Sequence, residues 1–256
     1  MIEGMAVTGG GENDEPIEKR WSDCLWIWEN PKPGRRYCLF ADTASGSGPN
    51  YSVCHVFEID RCVQAAELKI KIETRQFGRL LIELAQEYND GMIIIEREAY
   101  GDAVIQEVKD NGYPNLYHSE SDLRVIEDKQ NKTKTPSIVP GVKVNSNTRP
   151  RIIETLIQYF NDRSVFISKR TINELRNFIW RNNKPQASSG LNDDLVMSLG
   201  VGLWVRDQAI CRSRPAPVQV SNVLVNRETA IDTASLVPPQ AIISGNGKLM
   251  VETLSI

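Results

Sequence analysis

The stretch LFADTASGSGPNYSV, residues 39–53, climbs through apolar residues, stops at Asp42, and passes through a Gly/Ser-rich turn before Tyr51 opens another β-prone run. It reads as a buried strand (residues 36–41), a loop containing Gly46, Gly48 and Pro49, and a second strand (residues 51–60). Residues 64–72 read as a third strand, and three strands in succession imply an antiparallel meander. A lone carboxylate at the exit of a strand written to be buried is the feature that needs a reason.

Working outward, residues 74–88 place Phe77, Leu80, Leu81, Leu84 and Ala85 at helical spacing, and Asn89, Asp90 and Gly91 stop the helix. Residues 92–95 are a continuous apolar run ending in Glu96, as expected of a central strand covered on both faces. A helix over 103–108 ends near Gly112 and Pro114, and a short strand follows at 115–117. Half of residues 119–134 are charged, so this segment reads as a loop or exposed hairpin. Helices are expected over 151–160, 171–180 and 195–204, with a strand at 164–167 and a polar break at 182–190. Asn192, Asp193 and Asp194 introduce the last helix. The organisation predicted is a linker at 1–20, an α/β domain at 21–209 and a partly ordered tail at 210–256.

A chain of 256 residues with 41% apolar content has material for one substantial domain. Its net charge of −3 argues against a protein that coats polyanions, while 30 Lys and Arg leave enough for a local basic face. The five cysteines form no CxxC pair and sit mostly in apolar runs, which suits reduced core residues. No apolar run approaches the ~18 residues of a membrane span, so a soluble, cytoplasmic protein is expected.

Three acidic sites end or open hydrophobic elements: Asp42, Glu96, and the pair Asp193 and Asp194. Asp42 alone also suits a turn, and Asp193 or Asp194 a helix cap. Glu96, directly after three isoleucines, is costly to bury without a partner. If the strands carrying Asp42 and Glu96 are neighbours, both carboxylates emerge at the carboxyl edge of the sheet, where open α/β sheets place their sites. Gathered carboxylates repel unless protonated or bridged by cations. Mg²⁺ or Mn²⁺ prefers oxygen ligands, and two such ions suit phosphodiester hydrolysis. Zinc is disfavoured, because His55 and His118 are the only histidines and show no ligand spacing.

The segments YCLFADTASGSGPNYSVCHVFEID, GMIIIEREAYGDAVIQEV and GLNDDLVMSLGVGLW, with NTRPRIIETLIQYF and INELRNFIW between them, carry a resemblance. Together they resemble the nuclease domain of the large terminase subunit of tailed bacteriophages, in particular the T4-like group, which has a ribonuclease H-like fold. The resemblance implies a mixed central sheet, an antiparallel meander followed by parallel strands, flanked by helices. It implies a metal-dependent endonuclease cutting concatemeric double-stranded phage DNA during packaging, in the cytoplasm of the infected bacterium. Asp42 and Glu96 would be the first two metal ligands, and Asp193 or Asp194 the third. Relatives often carry histidine where this chain has Asn192. The implied partners are the packaging ATPase, the portal and the small terminase subunit. No G-x-x-x-x-G-K-[ST] occurs, so the ATPase is expected on a separate polypeptide.

Phosphate contacts are expected from Lys129, Lys132, Lys134, Lys143, Arg149 and Arg151, with Lys169 and Arg170 nearby, and with little sequence preference because no base-reading motif occurs. A Holliday-junction resolvase would use the same carboxylates. An actin-like ATPase would need a second glycine-rich phosphate loop, and a non-catalytic docking module would act through the Val/Pro-rich tail.

Overall fold

The structure, a computed structural model, describes residues 15–97, 100–128, 131–162, 168–181, 184–212, 242–243 and 249–250. The expected meander is present and begins earlier than the sequence implies. β1 (Glu18–Arg20), β2 (Leu25–Ile27), β3 (Tyr37–Asp42), β4 (Ser52–Glu58) and β5 (Val63–Ile70) form successive antiparallel pairs in the order β1-β2-β5-β4-β3. The chain then crosses over through α1 (Thr74–Glu87), the long connection that a parallel partner requires, and β6 (Met92–Ile95) joins β3 in parallel. α2 (Gly101–Asp110) follows, then the ribbon β7 (His118–Asp128) and β8 (Asn131–Pro140), α3 (Thr148–Asp162) and α4 (Lys169–Arg176). The hairpin β9 (Phe178–Arg181) and β10 (Lys184–Ala187) leads to α5 (Asp194–Arg212). A second unit, Gln219–Ile256, is described at β11 (Ile242–Ile243) and β12 (Leu249–Met250), which pair antiparallel.

Strand alternation decides where everything points. In β3, Tyr37, Leu39 and Ala41 enter an apolar cluster with Phe77 and Leu81 of α1 and Val104 and Val108 of α2. Cys38 and Phe40 enter the opposite cluster, with Ile152 and Leu156 of α3 and Val196, Leu199 and Leu203 of α5. β6 divides the same way, Ile93 and Ile95 against Met92 and Ile94. Because successive side chains point to opposite faces, the rows 38, 40, 42 and 92, 94, 96 both end in an acid on the α5 side.

α5 lies hard against β3. A Cβ on Gly202 would stand 2.0 Å from the Phe40 ring, and the Ser198 hydroxyl donates to the Phe40 carbonyl at 2.6 Å. A buried polar network sets the other flank. His55 Nε2–H donates to the Leu195 carbonyl at 2.9 Å, and His55 Nδ1 accepts from Gln64 Nε2 at 2.8 Å. Gln64 reaches on to Glu67 at 3.2 Å, whose carboxylate also accepts from the Thr171 hydroxyl at 2.7 Å and from Arg170 Nε at 2.7 Å.

Several expectations are corrected. Glu18–Arg20, assigned to the linker, is an edge strand of the sheet, and Arg20 bridges Glu18 and Glu87. β6 is the last strand of the six rather than a central one; single bridges from Leu116 to Ile93 and from Val142 to Glu96 cover its free edge, which is why it can be fully apolar. The helix expected over 171–180 ends at Arg176, because Phe178–Arg181 pairs across a two-residue connection with Lys184–Ala187, inside the expected polar break. The strand expected at 164–167 lies outside the described residues.

Gly202→Ala should destabilise the protein by about 2 kcal/mol, since overfilling a packed contact typically costs that much, and a urea midpoint reads it. His55 supplies the pH prediction. Burial holds its pKa below the ordinary value, so the folded state binds fewer protons than the unfolded state as pH falls through about 6.5, and stability is lost on the acid side. The stability lead of the wild type over His55→Gln should therefore shrink between pH 7 and pH 5, in urea titrations of both proteins.

Candidate active site

β3 and β6 run in register from Cys38 opposite Met92 to Ala41 opposite Ile95, and the Glu96 N–H donates to the Ala41 carbonyl at 3.0 Å. Asp42 and Glu96 therefore leave neighbouring parallel strands side by side. Glu96 is 5% exposed and Asp42 is half-buried. α2 starts against Glu96, where a Cβ on Gly101 would fall 1.9 Å from the Glu96 carbonyl oxygen, so only glycine fits there.

α5 brings the third element. Its first intrahelical bond runs from the Met197 N–H to the Asp193 carbonyl at 2.9 Å, so Asp193 sits at the cap and Asp194 in the first turn. The two acids have different surroundings. Asp194 is 7% exposed, and its Oδ2 accepts from the Tyr51 N–H at 2.9 Å and from Asn192 Nδ2 at 3.3 Å. Asp193 forms an ion pair with Arg149, whose Nε also donates to the Pro185 carbonyl at 3.0 Å. The loop after Asp42 closes one wall. Ser45 Oγ accepts from the Gly48 N–H at 3.1 Å, and Gly46, with φ +79°, presses on the Ile72 carbonyl where a Cβ would stand 2.2 Å away.

These groups line one cleft of about 520 Å³, which contains Asp42, Glu96, Asp193 and Asp194 with Arg149 and Tyr51. Burial holds the Asp42 carboxyl well above the ordinary carboxylate range, reinforced first by Glu96, then by Asp194 and more weakly by Asp193. Burial and Asp193 also raise Asp194, against the Tyr51 N–H, which favours its charge. Of the two neighbours on α5, Asp194 thus bears more strongly on Asp42. Among the described residues, no three His, Cys, Asp or Glu side chains converge on one point closely enough to hold an ion together. As arranged, Asp193 and Asp194 turn toward protein donors, while Asp42 and Glu96 face each other's charge. The lining offers oxygen donors and neither histidine nor cysteine, a set that fits a hard divalent cation.

No protein-family model matches the sequence. The structure is similar to the large terminase nuclease of the thermophilic phage G20c with bound magnesium, at 20% identity and a TM-score of 0.56, over 74% of this chain and 90% of that one. The same nuclease with bound cobalt matches at 19% and 0.56, over 74% and 90%. The large terminase nuclease domain of Thermus phage P74-26 matches at 20% and 0.53, over 73% and 87%. The fold is that of a large terminase nuclease. It is the ribonuclease H-like mixed sheet that the resemblance implied.

Within this terminase nuclease fold, the cations expected at DNA scatter. Arg149 lines the acidic cleft, whereas Lys143 and Arg151 are exposed outside its lining. Lys132 and Lys134 lie on β8, opposite Glu127 and Val125, and Lys129 lies outside the described residues. Arg170 is committed to Glu67, and Lys169 pairs with Glu15 at 3.3 Å. Sequence reading missed Tyr51, whose contribution is a backbone N–H.

Because the acids repel, Asp42→Asn should stabilise the chelator-treated protein at pH 7 by about 1 kcal/mol, a typical gain when a strained functional site is relaxed. Urea unfolding reads it; a loss of stability would mean the four groups do not feel one another.

Proposed function

We propose that the chain is a divalent-metal-dependent endonuclease that cuts double-stranded DNA during phage genome packaging. The observation supporting this most is the meeting of Asp42, Glu96 and Asp194, from two strands and a helix remote in sequence, in one cleft of a fold it shares with a magnesium-holding terminase nuclease. Asp42, Glu96 and Asp194 would hold Mg²⁺ or Mn²⁺, two ions in all, with Asp193 adding charge at the rim. Bound there, such ions supply a lowered pKa for the attacking water and charge neutralisation at the leaving oxygen.

The chain's own groups do the rest. The Tyr51 N–H orients one Asp194 oxygen and leaves the other for the cleft. Arg149, which pairs with Asp193 and lines the cleft, would exchange Asp193 for a phosphate oxygen and hold the backbone near the acids. The 43–51 loop walls the cleft on one side. Lys129, Lys132, Lys134, Lys143 and Arg151 would meet flanking phosphates, which gives affinity without base readout. The substrate would be concatemeric phage DNA in the infected host's cytoplasm, and the partners the packaging ATPase, portal and small subunit.

Supercoiled plasmid incubated with Mg²⁺ or Mn²⁺ tests this. Nicking and linearisation are expected, falling at least about a hundredfold in Asp42→Asn, Glu96→Gln and Asp194→Asn, since even partners of metal ligands cost up to that much. Asp193→Asn should lose only about tenfold. Undiminished cutting in the first three variants rejects the site, and preference for four-way junctions over linear duplex would redirect the reading to a resolvase.

A further inference from the structure

We propose that Glu174 is a positioning residue for Asp194, holding the backbone beside it so that its carboxylate faces the cleft. This rests on the metal-dependent reading of that cleft. Glu174 lies in α4, is 8% exposed and is absent from the cleft lining. Its Oε2 accepts from the Leu195 N–H at 2.8 Å, and its Oε1 from Lys69 Nζ at 2.6 Å.

The Leu195 N–H belongs to the peptide plane that leaves the Asp194 Cα, and it is one of the amide groups that a helix start leaves without an intrahelical acceptor. Fixing that plane fixes the backbone torsion next to Asp194. The following peptide is held independently by His55 Nε2–H on the Leu195 carbonyl, and the Asp194 side chain by the Tyr51 N–H. Three elements thus grip two consecutive residues from different sides: β4 through His55, the end of the 43–51 loop through Tyr51, and α4 through Glu174. Packing alone does not call for a carboxylate at 174. A buried acid is costly unless paired, and this one is placed where a helix N-terminus and a lysine both favour its charge. One of its oxygens answers the lysine, and the other is directed at the backbone N–H that follows Asp194.

The test is Mn²⁺ binding to the full chain without DNA, by titration calorimetry. Glu174→Ala and Glu174→Asp, the latter keeping the charge but drawing the oxygens back from the Leu195 N–H, should bind Mn²⁺ about tenfold more weakly, the usual effect of losing a group that orients a ligand. Glu174→Gln keeps an acceptor at the same reach and should stay within about twofold. Affinity for a labelled duplex in chelator should not change. Should the alanine variant fail to fold, the aspartate variant decides. Wild-type Mn²⁺ affinity in Glu174→Asp, with binding lost in Asp194→Asn, would overturn the positioning role and leave the site standing. Wild-type affinity in Asp194→Asn as well would instead bring down the metal reading itself.

Discussion

Like charges brought together must be held together by something else, and the structure is organised around that constraint. Asp42 and Glu96 end adjacent parallel strands on the same face, and Asp194 arrives opposite them from a helix start. Each pKa unit by which neighbours and burial raise a carboxylate is about 1.4 kcal/mol of strain at neutral pH. Burial of each large apolar side chain contributes roughly 1.5–3 kcal/mol in the other direction. With Phe40, Leu39, Ile93, Ile94 and Ile95 all fully buried at the roots of the two strands, the sandwich of helices on both faces outweighs the repulsion at their tips.

Strength alone would not give a defined site, because apolar packing tolerates small shifts. α5 is indexed to β3 by features that tolerate little. The Gly202 contact with the Phe40 ring fixes the approach, and the Ser198 bond to the Phe40 carbonyl fixes the register two residues before Asp42. On the other flank, His55, Gln64, Glu67 and Thr171 form a buried polar network whose charged member is matched by Arg170. Buried ionic groups add little net stability, since desolvation offsets most of the attraction. What such a network supplies is directionality, and here it ends at the Leu195 carbonyl, one residue from Asp194, the acid that the proposed site would have to aim.

The two-residue period made the strand half of this site legible. An apolar run that stops at Asp42 and another that stops at Glu96 say that each acid belongs to a strand end, and the parallel pairing of the two strands brings them together. The choice between Asp193 and Asp194 was not legible, because a helical wheel separates them by less than a residue step. Contacts with Tyr51 and Arg149, 143 and 44 residues away, separate them instead. The hairpin at 178–187 was hidden for a related reason. Ile172, Leu175 and Ile179 continue a helical spacing across Asn177, and only the pairing of Phe178–Arg181 with Lys184–Ala187 breaks it. Edge strand β1 was hidden by its composition, since Glu18, Lys19 and Arg20 carry no apolar alternation and are held by pairing and by Glu87.

Arg149 bears on how the proposed chemistry is ordered. Sequence placed it among the phosphate contacts, and the structure spends it on Asp193, as the basic residue lining a cleft with four acids. A phosphodiester approaching that cleft meets a field of its own sign, and one arginine already shared with a carboxylate does not reverse it. Divalent cations, on the proposed function, would reverse it, and in doing so would relieve Asp42 and Glu96 of each other. On the proposed function, therefore, cation and DNA each improve the site for the other, and by linkage the coupling is reciprocal. On that reading, an acidic cleft that takes the scissile phosphate more readily with its metal than without it would restrain a nuclease from cutting a duplex before the ions are bound.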